Sequence, residues 1–165
     1  MNFGINSKPI KFLGYIFIFM FIVLLDRCSK FAAVKLFQNK DYCVFPGFNL
    51  TLVWNRGVSW GLFSFDSAFL FYLLTIIIFS IIIVFFIYTV FLFRKNENVF
   101  FEVLVFSGAV SNLIDRFIYK GVVDFIDIYV FSWHWPTFNI ADMFVVIGIF
   151  GIFGRFLLDG CFREN

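Results

Sequence analysis

Five short stretches hold nearly all the polar side chains that hydropathy does not explain: Asp26 to Lys30 (DRCSK), Asn55 to Gly61 (NRGVSWG), Ser107 to Arg116 (SGAVSNLIDR), Val123 to Asp127 (VDFID) and Phe138 to Asp142 (FNIAD). Their chemistry is that of carboxylates. Asp124 and Asp142 are the two best suited to work as a pair, because one follows the third apolar run and the other opens the fourth, so both can meet at one membrane interface. Two carboxylates held close where water is scarce cannot both ionise easily, so they share a proton and one serves as base while the other serves as acid. That division suits hydrolysis of an amide: the ionised member activates water, the protonated member polarises the scissile carbonyl, and no covalent intermediate is needed.

The neighbours suit supporting roles. Asn112 lies one helical turn before Arg116, and Gly108 lies one turn earlier on the same face. Glycine there allows close approach of a helix or a substrate, Asn112 and Asn139 can donate hydrogen bonds to a carboxylate or a peptide carbonyl, and Arg116 can neutralise charge. Blander readings exist for single residues: an Asp115–Arg116 bridge at a helix end, an Asp26–Lys30 pair at i,i+4, a solvated Asp124. They fail for Asp142, which follows Asn139 in an apolar stretch and has no cationic neighbour in sequence.

Positioning these residues is a matter of membrane spans. The 165 residues are 62% hydrophobic and only 15% charged, with 30 Phe, so lipid is the natural solvent and one domain over 1–165 is expected. Runs at approximately 11–34, 67–93, 98–117 and 138–158 each have the reach to cross. Successive spans alternate in direction, which brings the late end of the first, the late end of the third and the start of the fourth to one side. All five polar stretches then fall together, and charged residues in a membrane protein generally face a bundle interior or a wet cavity. Six basic residues fall on the side of the termini and seven on the other, so charge alone does not orient the chain. The short flanks holding Lys8, Lys11, Arg94 and Lys95 favour cytoplasmic termini. Phe48 to Trp54 (FNLTLVW), ending at Asn55, Arg56 and Gly57, suggests a small sheet, and Trp133 and Trp135 suit interfacial anchors.

Other chemistries are weaker. One histidine, His134, and three cysteines without a CxxC spacing do not make a metal site, and no cofactor is expected. Cys28 and Cys43 could pair, though free thiols suit so apolar a chain better. Scattered basic residues leave no footprint for nucleic acid. Lys8, Lys11 and the run to Leu25 imitate a cleavable signal, but Asp26 and Arg27 occupy the cleavage region, so a retained first helix is expected. Gly57 to Gly61 matches GxSxG, yet that motif needs a large α/β sheet. A transporter or ion pathway using intramembrane acids is the alternative of another class, but the acids cluster at one face instead of spacing through the bilayer.

With GAVSNLIDR, GVVDF and FNIAD in this order and spacing, the chain resembles the lipoprotein signal peptidases of bacteria, also called signal peptidase II. The resemblance covers almost the whole chain. It implies an all-α integral membrane fold of four transmembrane helices with a small extracytoplasmic β-cradle and a lid-like amphipathic segment. It also implies a monomeric aspartic endopeptidase of the bacterial cytoplasmic (inner) membrane, with membrane lipids around it, that cuts before the diacylglyceryl-modified cysteine of prolipoproteins. By matching position the resemblance makes Asp124 and Asp142 catalytic, and has Asp26, Lys30, Asn55, Gly57, Gly108, Asn112, Asp115, Arg116, Asn139 and Ala141 line or support the site. Ser107 and Ser111 stand where glycine is common in the family, and Val58, Ser59 and Trp60 replace a small-small-Phe run, with Trp60 placed to alter the lid.

Overall fold

The computed structural model describes residues 8–38, 40–57 and 68–163, with the side chains of 160–163 left aside; the GxSxG serine, Trp60 and the lid expected around it lie outside the described residues. Among the described residues four helices and four strands follow in the order α1 (Lys8–Leu36), β1 (Tyr42–Phe45), β2 (Phe48–Asn55), α2 (Ala68–Arg94), α3 (Phe100–Tyr119), β3 (Val122–Val130), β4 (Trp133–His134) and α4 (Ile140–Arg163). Of these helices three are long and apolar enough to cross a membrane: α1, α2 and α4 over Ile140–Asp159. α3 is not among them, because Glu102, Asp115 and Arg116 interrupt its 20 residues.

Those charges are buried, and this makes α3 the central helix. It packs against α4, α1 and α2. Along α4 it runs antiparallel, from Asn112 beside Asp142 at one end to Glu102 beside Arg155 at the other. Gly108 and Gly148 permit the approach: a methyl on Gly108 would overlap the Ala141 carbonyl and come within 2.8 Å of Val145 Cγ2, and one on Gly148 would lie 2.7 Å from the Phe101 carbonyl oxygen. α2 buries only Phe71, Thr75 and Ile82, as a mainly lipid-facing helix would.

The strands form one small antiparallel sheet in the order β1-β2-β3-β4, with the stretch Phe48 to Trp54, where a small sheet is expected, inside β2. β3 is the strand that matters most for the site. α3 ends at Lys120, which takes a left-handed conformation (φ 56°), and the chain turns through Gly121 into Val122. β3 then pairs with β2 in the register Val53↔Asp124 and Asn55↔Val122. Ile126 and Phe138 exchange backbone hydrogen bonds at 2.8 and 3.0 Å, which pins the segment entering α4 beside β3. Asn139 therefore arrives next to Asp124. Trp133 and Trp135 are exposed and stack edge-on at 5.8 Å. Cys28 and Cys43 are free and exposed.

Candidate active site

The start of α4 is a reciprocal cap. The Asn139 side-chain oxygen accepts the Asp142 amide at 2.9 Å, and Asp142 Oδ2 accepts the Asn139 amide at 3.1 Å. This satisfies two amides that a helix start leaves without partners and sets the Asp142 carboxylate at the positive end of the helix. The remaining oxygen, Oδ1, accepts from Asn112 Nδ2 at 2.8 Å.

Asp124, 2% exposed, is held from two sides: Asn139 Nδ2 donates to its Oδ1 at 2.6 Å and Asn55 Nδ2 donates to its Oδ2 at 2.9 Å. Asn139 thus touches both aspartates. Burial, followed by the charge of Asp142, pushes the Asp124 carboxyl up to about 7, against the opposing effects of the two amide hydrogen bonds and the Lys30 charge.

The orientation of Asn112 is set by a residue behind it. Lys30 has only donors, and its ammonium donates to Asn112 Oδ1 at 2.7 Å, so the amide nitrogen of Asn112 must turn towards Asp142. Lys30 is 1% exposed and is balanced by Asp26 at 2.7 Å and Asp115 at 2.8 Å. Asp26 also accepts from Ser111 Oγ at 2.6 Å and the Ala141 amide at 2.9 Å, tying α1 to α3 and α4. Asp115 pairs with Arg27 and accepts the Val123 amide at 3.1 Å, which fixes the start of β3. Neither acid is bonded to Arg116. That guanidinium instead donates to the Gly57 carbonyl at 2.5 Å, while the Gly57 amide donates to Asn55 Oδ1 at 3.0 Å.

Every residue expected at the site is therefore in one connected assembly. Asp124, Asp142, Asn55, Gly57, Asn112 and Arg116 line a cavity of about 200 Å³. Gly108 and Ala141 stand behind it as helix-packing residues, and Asp26, Lys30 and Asp115 form the charged layer beneath. Of the blander alternatives, the Asp26–Lys30 pair exists within this layer; an Asp115–Arg116 bridge does not form, and Asp124 is not solvated. On its other side Asp124 borders a groove of about 500 Å³ over the sheet, which reaches Asp127 and His134. His134 bonds Asp127 at 2.9 Å and does not bond the aspartate pair. No cluster able to hold a metal occurs among the described residues.

Two contributors lie within the polar stretches but outside the residues that the resemblance assigns to the site. Arg27 neutralises Asp115, and Ser111 donates to Asp26. Ser111 does carry a signal in its spacing: Ser107, Ser111 and Asp115 recur at i,i+4 on one stripe of α3, all three completely buried, beside the Asn112–Arg116 stripe that faces the cavity.

Residues 18–158 of the chain match the family model described as Signal peptidase (SPase) II. The lipoprotein signal peptidase of Pelagibacter ubique (strain HTCC1062) is 38% identical over 138 residues, 81% of each chain. That of Blochmanniella pennsylvanica (strain BPEN) is 36% identical over 162 residues, 96% of each chain. A bacterial membrane enzyme solved by the in meso method at 2.3 Å resolution superposes with a TM-score of 0.73 at 34% identity, covering 89% of each chain.

Proposed function

The chain belongs to the signal peptidase II family, and we propose that Asp124 and Asp142 are the pair with which this bacterial membrane peptidase removes the signal peptide of prolipoproteins, cutting before the diacylglyceryl-modified cysteine. The observation that carries the assignment is the bridging of two carboxylates by Asn139 and Asn112 at the edge of one cavity. The pair holds one proton between them. A water placed between the carboxylates loses its proton to the ionised member as it attacks the scissile carbonyl, and the protonated member donates to the carbonyl oxygen. The same proton traffic, reversed, delivers a proton to the leaving amine.

The position of Asp124 between the cavity and the sheet groove supports a path for the substrate: the signal peptide lies on the helix side, and the mature part leaves over the sheet. α3 serves as a fourth span. Its length, 20 residues, suits a crossing of about 30 Å, and its charges are covered by Arg155, Arg27 and Lys30 from neighbouring helices. With four spans both termini lie on one face, which the short basic flanks holding Lys8, Lys11, Arg94 and Lys95 favour as the cytoplasmic one; the pair then lies near the outer face, and one copy of the single domain carries a complete site.

Incubating the pure protein with a diacylated prolipoprotein tests this. Asp124→Asn and Asp142→Asn should each lower cleavage by at least about 10²-fold while the thermal midpoint stays near that of the parent. Near-normal turnover by either variant would remove that residue from the pair.

A further inference from the structure

The end of the bundle away from the aspartates holds a second cavity, of about 520 Å³, between α1, α2 and α3. Aromatic clusters flank it at two levels. At mid-depth Phe106 stacks on Phe19 and Phe86, with centroids 5.6 and 5.2 Å away. At the end near Arg94, Phe93 meets Phe12 and Tyr15 at 5.9 and 6.0 Å. Phe12 and Phe19 are two helical turns apart, so the clusters stand roughly 10 Å from each other along the axis. Between them the wall is apolar except for Thr89, whose hydroxyl is already satisfied by the Phe85 carbonyl at 2.8 Å. Such a space stays dry, and it lies between two helices long and apolar enough to cross a membrane, where hydrocarbon is the material available to fill it.

We propose that this cleft binds an anionic phospholipid, with acyl chain in the cleft and phosphate against Arg94 and Lys11. Arg94 stands at the mouth, and Lys11, together with Asn96 and Asn98, lines an adjoining pocket that shares Tyr15 with the cleft. Neither Arg94 nor Lys11 has an ion pair among the described residues, whereas Arg155, which donates to the Asn98 carbonyl at this end, is already paired with Glu102. Basic pockets between transmembrane helices attract anionic head groups. The basic leading segment of a signal peptide is a poor alternative occupant, since these cations would repel it.

The test uses the full chain, purified and stripped of lipid in detergent, with phosphatidylglycerol and phosphatidylcholine of matched chains as probes and native mass spectrometry as readout. One phosphatidylglycerol should be retained with a preference of about tenfold or more. R94Q with K11Q should abolish the preference without loss of fold, and Thr89→Trp, which fills the cleft, should abolish retention while cleavage of a lipidated precursor continues. Equal retention of the two lipids, or retention unchanged in both variants, would overturn the proposal. Displacement of the lipid by a signal-peptide fragment would reassign the cleft to substrate.

Discussion

The aspartate pair depends on residues buried behind the cavity wall. Lys30 is the clearest: its ammonium turns Asn112 so that the amide nitrogen faces Asp142, and it balances Asp26 and Asp115 within the same buried layer. Lys30→Met should therefore lower kcat strongly and also cost about 3–5 kcal/mol of stability, because two buried carboxylates lose a partner. Thermal melts with parallel turnover measurements read both effects; an unchanged kcat would show that Asn112 is oriented by other means. Asp124 makes a prediction about pH. Its carboxyl is raised from an ordinary value of 3.8 to about 7, so between those limits the folded chain binds more protons than the unfolded one. Stability is then fully present at the acid end and falls as pH rises through the window, by up to about 1.4 kcal/mol per unit. Melts from pH 4 to 8 should show this slope, and Asp124→Asn should flatten it. Cleavage should decline as pH rises past about 7, where the pair gives up its shared proton. A slope identical in the variant would place the pH sensitivity elsewhere.

These side chains meet because of where elements begin and end, and the elements are unevenly legible in the sequence. The apolar runs mark the helices to within a few residues, since a span must be long and apolar whatever packs against it. β3 is harder to see. Its aspartates, Asp124 and Asp127, draw attention as charges, although Val122, Val123, Phe125, Ile126, Ile128, Tyr129 and Val130 make a strand-forming run. The cap at Asn139 and Asp142 has the N-x-x-D spacing of a helix start, and that spacing alone is enough to put both side chains at one helix end. What no local pattern carries is the Ile126–Phe138 pairing that sets this helix start beside β3. The contact between α3 and α4 is equally specific. Gly148→Leu drives a side chain against Val105 and the Phe101 carbonyl, so it should cost about 1–3 kcal/mol, read as a lower thermal midpoint. An unchanged midpoint would mean that the two helices can separate at that level without loss.

Across the whole molecule, sidedness follows from the number of crossings. If α3 crosses, the turn after Arg94 and the aspartate pair lie on opposite faces of the membrane; if it does not, both lie on one face. A count of charges leaves α3 out, because it treats Glu102, Asp115 and Arg116 as if they met lipid, whereas each is buried against protein. Nor does the balance of basic residues choose a direction, since Arg27, Lys30 and Arg116 belong to the site and are not free to act as topological signals. The native thiol of Cys43, exposed on β1, offers a direct measurement. In a background with Cys28 and Cys161 replaced by alanine, a membrane-impermeant maleimide should label Cys43 from the outer side of intact spheroplasts. A cysteine introduced by Glu97→Cys, with Cys43 also replaced, should label only after the membrane is opened. Labelling of both positions from outside would mean that α2 does not cross and, through the β2–β3 pairing, that α3 does not either; the reverse pattern would turn the molecule over and put the peptidase site on the cytoplasmic face, where the mature part of a lipoprotein could not leave over the sheet.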